Sequence, residues 1–340
     1  MSWKASESVP TVDGSRPLVV LSDPSIHPEA VALLREHFEV DILDAYPSEQ
    51  RFGEAASGAS AILARLGTVT RHVIESAPRL RIVSRHGVGV DAVDVAAATE
   101  HGVVITNTGS SNAAAVAEYT FAMLLALVRK VPQADAGMRA GLWQRDPQVG
   151  GELEGRTLGI FGLGAIGGRV ARQALGFGMQ VVACDPHPPA SLPAGVRLVE
   201  RAELFALSDI VTLHTRLTET TRAMIDRAAL NAMKPTALLV NTARGELVDE
   251  PALIAALEQG RLGGAALDTF AEEPLAVDSP LRGMANVVLS PHVAGQTEEA
   301  LIRVGRAAAQ AIIDELAGRR PANVHNPEAY QRRGQLARFT

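Results

Sequence analysis

A glycine-rich stretch limits the folds that this chain can adopt. It has the sequence Gly162-Leu-Gly164-Ala-Ile-Gly167 and lies between a predicted strand (157–162) and a predicted helix (166–177). In that context the first glycine allows a tight turn, the second lets backbone approach a pyrophosphate, and the third lets helix and strand pack closely. The stretch therefore predicts a dinucleotide site at the start of the helix. A loop that only turns a corner is the alternative. The residues predicted to bind cofactor here are Gly162, Gly164, Ala165, Ile166 and Gly167.

An acidic residue follows at the spacing that this site requires. Asp185 ends the next predicted strand, 23 residues after Gly162. A carboxylate there accepts hydrogen bonds from the adenosine ribose hydroxyls and repels a 2′-phosphate. The predicted cofactor is therefore NAD, in preference to NADP.

The rest of the chain alternates short Val, Ile and Leu runs with Ala-rich stretches of helical period, which is typical of βα units. A length of 340 residues suits two domains. We predict an α/β protein with two doubly wound parallel sheets. A Rossmann NAD-binding domain (111–297) is inserted in a discontinuous, flavodoxin-like substrate domain (1–110 and 298–340). The predicted strands are 18–21, 39–43, 61–64, 81–84 and 103–106, and then 157–162, 180–185, 209–214, 237–242, 264–269 and 286–290.

Composition narrows the function classes. The net charge of −6 argues against a nucleic-acid surface, and the basic tail (319–338) is interpreted as a solvated end. A single cysteine, Cys184, excludes intramolecular disulfides and Cys-cluster metal sites, and it suits a reducing compartment. No apolar run is long enough for a membrane span. We predict a cytoplasmic protein without a metal, with residues 1–16 as a flexible leader.

Polar side chains collect where the strands of the second series end. In open parallel sheets, ligands bind beyond these carboxyl ends. Three of the side chains in this region are the types that reduction of a 2-keto acid requires. Arg244 offers a planar fork for the substrate carboxylate, His292 exchanges a proton with the carbonyl oxygen, and Glu273 orients the imidazole and stabilises its charged form. A surface ion pair, a buried neutral imidazole and a capping acid are the respective alternatives.

These residues and their surroundings resemble the D-isomer-specific 2-hydroxyacid dehydrogenase family. The segments that carry the resemblance include RHGVGVDAVDVAAA, LEGRTLGIFGLGAIGGRVA, MKPTALLVNTARGELVDEPAL, GGAALDTFAEEPL and VVLSPHVAGQT. It implies that Arg244, Glu273 and His292 are catalytic. It also implies a homodimer whose first domain closes over the substrate, with hinge crossings near Ser110 and Glu298. The resemblance also implies cofactor contacts at His214, Thr242 and Asp268, and for His214 a histidine at the edge of the core is the alternative.

The resemblance places the substrate carboxylate on backbone amides of one loop. Arg65 ends a strand of the same domain and is either a contact for a second anionic group or a solvent-facing arginine. Asn112 is a candidate contact only, since Ala115 replaces a commoner polar residue in that helix start. Arg216 stands where the family commonly has proline, which adds a cation near the cofactor. The predicted substrate loop is His86, Gly87, Val88 and Gly89.

The leading hypothesis is an NAD-dependent enzyme that transfers hydride to or from the 2-carbon of a small D-2-hydroxy acid of the glycerate/hydroxypyruvate, glyoxylate, 3-phosphoglycerate or lactate class. Formate-type relatives normally pair their histidine with glutamine, which Glu273 argues against. Phosphoglycerate enzymes often carry a regulatory extension, whereas this chain stops at Thr340. An NAD(H)-sensing co-repressor of the same fold and an inactive binding protein are the alternatives from other classes.

Overall fold

The computed structural model describes residues 15–336, and all but two residues of the predicted leader lie outside them. The chain divides into two compact units. The first runs to Asn112 and resumes at Thr297, and the second runs from Ala113 to Gln296. These borders lie within two residues of those predicted from the sequence, and the roles assigned to the two parts stay predictions.

The first unit is built on a five-stranded, fully parallel sheet with the strand order β2-β1-β3-β4-β5, which is the flavodoxin-like order. Alternate strand residues fill cores on both faces, so that Val20 and Ile62 pack on one face and Leu21 and Leu63 on the other. The elements are β1 (Leu18–Leu21), α1 (Pro28–Arg35), β2 (Glu39–Ile42), α2 (Glu49–Ala56), β3 (Ala59–Ala64), α3 (Arg71–Glu75), β4 (Ile82–Arg85), α4 (Val95–Glu100) and β5 (Val104–Thr106).

The second unit holds a seven-stranded parallel sheet. Its elements are α5 (Ala113–Arg129), α6 (Val131–Arg139), β6 (Thr157–Phe161), α7 (Gly167–Gly176), β7 (Gln180–Cys184), β8 (Val196–Leu198), α8 (Arg201–Leu207), β9 (Ile210–Leu213), α9 (Arg227–Ala232), β10 (Leu238–Asn241), α10 (Glu250–Glu258), β11 (Gly264–Leu267) and β12 (Val287–Leu289). The strand order is β12-β11-β10-β9-β6-β7-β8, with the chain reversing direction across the sheet between β6 and β9. The predicted class, two doubly wound parallel sheets with a Rossmann-type insertion, is confirmed.

The prediction of six strands in this sheet was wrong by one. The additional strand, β8, has the sequence Val-Arg-Leu and is largely exposed at the sheet edge. A three-residue strand with no continuous apolar run gives no periodic signal. Its place is fixed by hydrogen-bonded pairing with β7 instead.

The chain returns to the first unit through α11 (Glu298–Leu316). This helix covers one face of the first sheet, where the Ser84 hydroxyl donates to the Ala308 carbonyl at 2.9 Å. The tail, interpreted from the sequence as a solvated end, contains a further helix, α12 (Glu328–Leu336). Among the described helices, none combines the length and apolar character of a membrane span.

Candidate active site

The glycine loop follows β6 directly, and two of its glycines are required by close approaches. Gly162 has a φ of +89°, and a Cβ there would lie 2.7 Å from the carbonyl oxygen of His214. A Cβ on Gly167 would lie 1.9 Å from the carbonyl oxygen of Gly162. Around Gly164, by contrast, no atom lies within 4 Å of a built Cβ. The outer two glycines therefore pack the loop, while the middle one faces open space.

The loop leads into α7 without a side-chain cap, because Ile166 stands at the N-cap position and offers no acceptor. Within residues 15–336, the amides of Gly164, Ala165 and Ile166 have no hydrogen-bond acceptor. Unpaired amides at a helix start favour an anion, through their own donors and through the helix dipole. The chemistry of this end of α7 fits the pyrophosphate of a dinucleotide.

Asp185 follows β7 and fastens the glycine loop from the side. One carboxylate oxygen accepts the amide of Leu163 at 2.6 Å, and the other accepts the amide of His187 at 2.8 Å. Each oxygen has a second lone pair that can accept a ribose hydroxyl. Asp185 therefore both shapes the loop and stays available to a ligand, while the His187 side chain is exposed.

His214 follows β9 next to the glycine loop. Burial lowers the pKa of its imidazole to about 3, so the ring is neutral at physiological pH. Its Nε2 lies 3.0 Å from the Thr212 hydroxyl, and its buried Nδ1 has no partner within the described chain. Arg216, two residues later, stands where the resembled family commonly has proline. Its side chain is exposed, and its carbonyl accepts the Thr221 hydroxyl at 2.7 Å.

The strand end that carries Arg244 is folded by a buried asparagine. The Asn241 amide donates to the Arg244 carbonyl at 2.7 Å and accepts from the Ala243 amide at 3.0 Å. A short 3-10 turn, Gly245–Leu247, follows. A Cβ on Gly245 would lie 1.8 Å from the carbonyl carbon of Phe270. The Arg244 turn therefore rests directly on the backbone of the loop that leads to Glu273.

Thr242, which lies between these residues in the chain, is buried. Its hydroxyl lies 3.0 Å from that of Thr120 on α5. This contact ties the end of β10 to the helix beside it. The cofactor contact predicted for Thr242 stays a prediction.

Glu273 and His292 form a hydrogen-bonded pair. The Glu273 Oε2 lies 2.8 Å from the His292 Nδ1, and the other carboxylate oxygen accepts the Phe270 amide at 3.1 Å. Burial opposes ionisation of the Glu273 carboxyl, but these hydrogen bonds and the charges of His292 and Arg244 outweigh it, so its pKa lies below the ordinary value. The carboxylate holds the imidazole by Nδ1 and leaves Nε2 for a reacting group.

The loop that carries His292 is anchored by Asp268, which is fully buried after β11. Its carboxylate accepts the Ser290 hydroxyl at 2.6 Å and the amides of Val293 and Ala294 at 2.9 and 2.8 Å. Its carbonyl accepts the His292 amide at 2.8 Å. These four bonds hold the backbone of His292 at a φ of +54°, a value that residues other than glycine seldom adopt.

Asp268 was predicted only as a cofactor contact, and sequence reasoning missed its role as an anchor. It also missed Asn241 and Ser290, because a buried amide and a serine at strand ends are common. The one signal in the sequence was their position: Asn241 ends an apolar strand, and Ser290 immediately follows one.

The predicted substrate loop lies in the first unit, directly after β4. Burial first, and then the nearby charge of Arg65, lowers the pKa of His86 to about 4, and its side chain is buried. Gly87 has a φ of +147° with open space around it. In the described chain, the amides of Val88 and Gly89 have no acceptor. This loop can therefore offer backbone donors to a carboxylate, as the resemblance implied.

Arg65 follows β3 beside this loop. Its amide donates to the Ser22 hydroxyl at 2.8 Å, and its guanidinium donates to the Ser25 carbonyl. The guanidinium is thus held at the strand end. Asn112, the last residue of this unit's first segment, has a buried side-chain oxygen without a partner among the described residues.

A family profile and several curated proteins are similar to this chain in sequence. A sequence profile of the D-isomer specific 2-hydroxyacid dehydrogenase NAD binding domain matches residues 121–294. The chain is 41% identical over 312 residues to a D-3-phosphoglycerate dehydrogenase of Methanocaldococcus jannaschii, covering 91% of this chain and 59% of that protein. It is 40% identical over 304 residues to a glyoxylate reductase of Korarchaeum cryptofilum, covering 87% of this chain and 92% of that protein.

Among solved structures, the TT0316 protein of Thermus thermophilus superposes with a TM-score of 0.85 at 35% identity, covering 91% of this chain and 99% of that one. Two parallel sheets, one of them with a glycine loop of this kind, define a two-domain α/β protein with a dinucleotide-binding sheet. More particularly, the chain belongs to the D-isomer-specific 2-hydroxyacid dehydrogenase family, and its second unit contains the family's NAD-binding domain. The chain spans about three fifths of the length of the curated phosphoglycerate dehydrogenase that it matches.

Proposed function

We propose that the protein transfers hydride between NAD and the 2-carbon of a small D-2-hydroxy acid or its 2-keto acid. The observation that carries this proposal is the 2.8 Å pair of His292 Nδ1 and Glu273, formed beyond the carboxyl ends of a sheet that also carries a glycine loop. A histidine held through Nδ1 by a carboxylate is arranged for general acid and base work at Nε2.

In reduction, Arg244 orients the substrate carboxylate and the adjacent carbonyl oxygen by its planar N–H fork. His292 donates the Nε2 proton to that oxygen as the carbon is reduced, and it removes the proton in the reverse direction. Glu273 stabilises the charged imidazole while the proton is held there. NAD, when bound, supplies or accepts the hydride.

The residues that hold NAD in this proposal are the glycine loop, Asp185 and three cleft residues. The amides of the loop bind the pyrophosphate, and the Asp185 carboxylate binds the adenosine ribose. The neutral His214 ring suits an uncharged contact, because its pKa is about 3. The three cleft residues are His214, Thr242 and Asp268.

The choice of NAD over NADP is tested by Asp185→Asn. This variant removes the charge but keeps an oxygen for the amide of Leu163, now 2.6 Å away. We expect the ratio of kcat/KM for NADPH to that for NADH to rise about tenfold or more, since about 1.4 kcal/mol of repulsion corresponds to a factor of ten. An unchanged ratio would assign the discrimination to another residue.

The proposed substrate class is based on the loop after β4 and on Arg65, both in the first unit. The amides of Val88 and Gly89 bind the substrate carboxylate, and Arg65 accepts a second anionic group where the substrate has one. The relatives support both kinds of substrate, since one is named a phosphoglycerate dehydrogenase and another a glyoxylate reductase. Arg65→Gln should lower kcat/KM for a phosphorylated 2-keto acid and leave glyoxylate reduction nearly unchanged. Equal losses with both substrates would assign Arg65 a structural role.

The activity itself is tested by NADH oxidation with a panel of glyoxylate, hydroxypyruvate, its phosphate ester and pyruvate. We expect turnover with at least one, and we expect His292→Ala or Arg244→Ala to abolish it while NADH still binds. His187→Ala is the matched control, because this histidine is exposed. NADH binding without turnover across the panel would favour the NAD(H)-sensing co-repressor alternative.

A homodimer completes the proposal. Helix α6 has no buried residue, and a run of large apolar side chains around it is exposed. We propose that a second copy of the chain covers these side chains, since large exposed apolar surfaces often mark protein–protein interfaces. Trp143→Glu should shift the mass measured by light scattering toward the monomer, and a wild-type monomer would contradict the proposal. The exposed residues are Val131, Met138, Leu142, Trp143 and Val149.

Two predictions from the sequence accompany this function. A cytoplasmic location is proposed from the single cysteine, Cys184, and is tested by fractionating cells that produce the tagged protein. Closure of the substrate domain is tested by small-angle scattering with and without NADH and oxalate, a substrate-like dianion. An unchanged radius of gyration in the ternary complex would contradict closure.

A further inference from the structure

The basic tail contributes to a cavity that the proposed function does not use. The cavity lies in the first unit and has a volume of about 590 Å³, which is in the range of small-ligand sites. Arg81, at its wall, immediately precedes β4, whereas the predicted substrate loop follows the other end of that strand. The cavity is therefore separate from that loop. Its basic and polar lining includes Arg81, Arg319, Arg320, Tyr330, Gln331 and Arg333.

A buried glutamate organises the floor of this cavity. Glu315 on α11 is 2% exposed, accepts the Tyr330 hydroxyl at 2.9 Å, and forms a salt bridge with Arg333. Arg333 also donates to the carbonyls of Arg81 and Gly102 at 2.7 and 2.9 Å. The charge of Glu315 is thus neutralised within the floor, and the donors of Arg333 are largely occupied. These two residues are a framework and not the ligand contacts.

Arg320 differs from the other arginines of the cavity. Its guanidinium lies 5.5 Å from the centroid of the Tyr330 ring, and that of Arg333 lies 5.7 Å from the same centroid, but among the described residues Arg320 has no carboxylate partner. A guanidinium that rests on an aromatic face keeps its N–H edges available in its own plane. Arg81 adds a second, half-exposed guanidinium, whose Nη2 is 3.6 Å from Glu315. Arg319 pairs with Asp314 at 2.9 Å at the rim.

The lining therefore carries an excess of positive charge on a chain whose net charge is −6. Four positively charged arginines line it, whereas the negative charges are those of Glu315, Glu328 and, at the rim, Asp314. The excess is concentrated at Arg320, where a charged ligand would meet donors already oriented by stacking. Oriented guanidinium donors recognise oxyanions by paired hydrogen bonds.

We propose that this cavity binds a small oxyanion with two or more negative charges, at a site anchored by Arg320 that shares no residue with the proposed substrate and NAD sites. The proposal is independent of the proposed function. Phosphoryl compounds and polycarboxylates share this chemistry, and they differ in whether one compact tetrahedral group or several planar groups must fit among the arginines.

Binding is measured by isothermal titration of the full chain saturated with NADH, with inorganic phosphate in one arm and citrate in the other. We expect saturable binding that Arg320→Gln weakens at least tenfold. Tighter phosphate binding assigns the phosphoryl class, and tighter citrate binding assigns the polycarboxylates. The matched control is Arg332→Gln on α12. The Arg332 side chain contacts Glu100 and Gln335 and does not line the cavity. This control should bind as the wild type does.

Gln331→Glu provides a second variant at the exposed rim, where an added negative charge should also weaken binding. Circular dichroism confirms that each variant is folded. The proposal is overturned if neither anion binds saturably, if Arg320→Gln binds as tightly as the wild type, or if Arg332→Gln loses as much affinity. Loss of binding in Arg244→Gln would place the anion in the proposed active site and would also overturn it.

Discussion

Asparagine in place of Asp268 tests how His292 is held. The buried carboxylate accepts three hydrogen bonds from the loop of residues 290–294, at 2.6 to 2.9 Å. An asparagine oxygen can keep the bonds to Ser290 and Val293, which share one carboxylate oxygen. The amide nitrogen then faces the Ala294 amide, donor against donor. The variant therefore loses the charge and leaves one buried N–H unpaired.

The magnitude follows from these losses. A hydrogen bond to a charged group contributes about 1.5–3 kcal/mol, and an unpaired buried donor costs about 1–3 kcal/mol, with overlap between the two. We expect Asp268→Asn to lower the free energy of unfolding by about 2–4 kcal/mol. Because domains are commonly stable by about 5–15 kcal/mol, the variant should still fold.

The same change should reduce catalysis through the position of the His292 imidazole. A displacement of about 1 Å can cost about a hundredfold in rate. We expect kcat for 2-keto acid reduction to fall about 10- to 100-fold, with a smaller change in the KM for NADH.

Urea unfolding and steady-state kinetics measure the two effects of this substitution. The matched control is Asp249→Asn, because Asp249 caps α10 through the Ala252 amide at 3.0 Å and asparagine caps a helix equally well. The reasoning is refuted if Asp268→Asn changes stability by less than about 0.5 kcal/mol, the range of an ordinary surface substitution. A raised KM for NADH with unchanged stability would make Asp268 a cofactor contact alone.

Two further predictions concern the same loops. Gly245→Ala would place a Cβ 1.8 Å from a backbone carbon of the neighbouring loop, so we expect a loss of about 1–3 kcal/mol in urea unfolding and a fall in kcat. Gly176→Ala, with no atom within 4 Å, should cost nothing, and equal behaviour of the two variants would contradict the packing argument. Glu273→Gln removes a carboxylate whose pKa is lowered and which is therefore charged at neutral pH. The neutral amide no longer stabilises the charged imidazole held at Nδ1, so we expect kcat for 2-keto acid reduction to fall about 10- to 100-fold; exposed Glu272→Gln is the control, and an unchanged kcat would refute the pairing.

Much of the fold could be predicted because both sheets are buried on two faces. The inner strands are continuous apolar runs, such as β3, all of whose residues are buried. The elements that the sequence did not reveal lack this property. In β8 two of three residues are exposed, and α6 buries none. α12 is polar and is held by contacts of Tyr330 and Arg333 with Glu315 of α11, 15 and 18 positions earlier in the chain, and no local pattern encodes these contacts.

The candidate site shows the same division between local and distant information. The residue types Arg244, Glu273 and His292 are visible in the sequence, because each follows a recognisable strand. The residues that hold these side chains in place are not visible in the sequence. Gly245 packs on a segment 25 residues away, and Asp268 accepts hydrogen bonds from residues 22 to 26 positions later. Such contacts depend on strand order, which apolar periodicity does not specify.

Strand order explains why the three side chains can act together. β10, β11 and β12 are neighbours in the sheet, and they precede Arg244, Glu273 and His292 respectively. Parallel neighbours end at one edge, so the three loops meet there whatever their length. Adjacency alone does not orient an imidazole, however, and the left-handed backbone at His292 would relax without the four bonds that its loop makes to Asp268. The buried aspartate thus converts a shared sheet edge into a defined His–Glu geometry, which is why its substitution should affect rate and stability together.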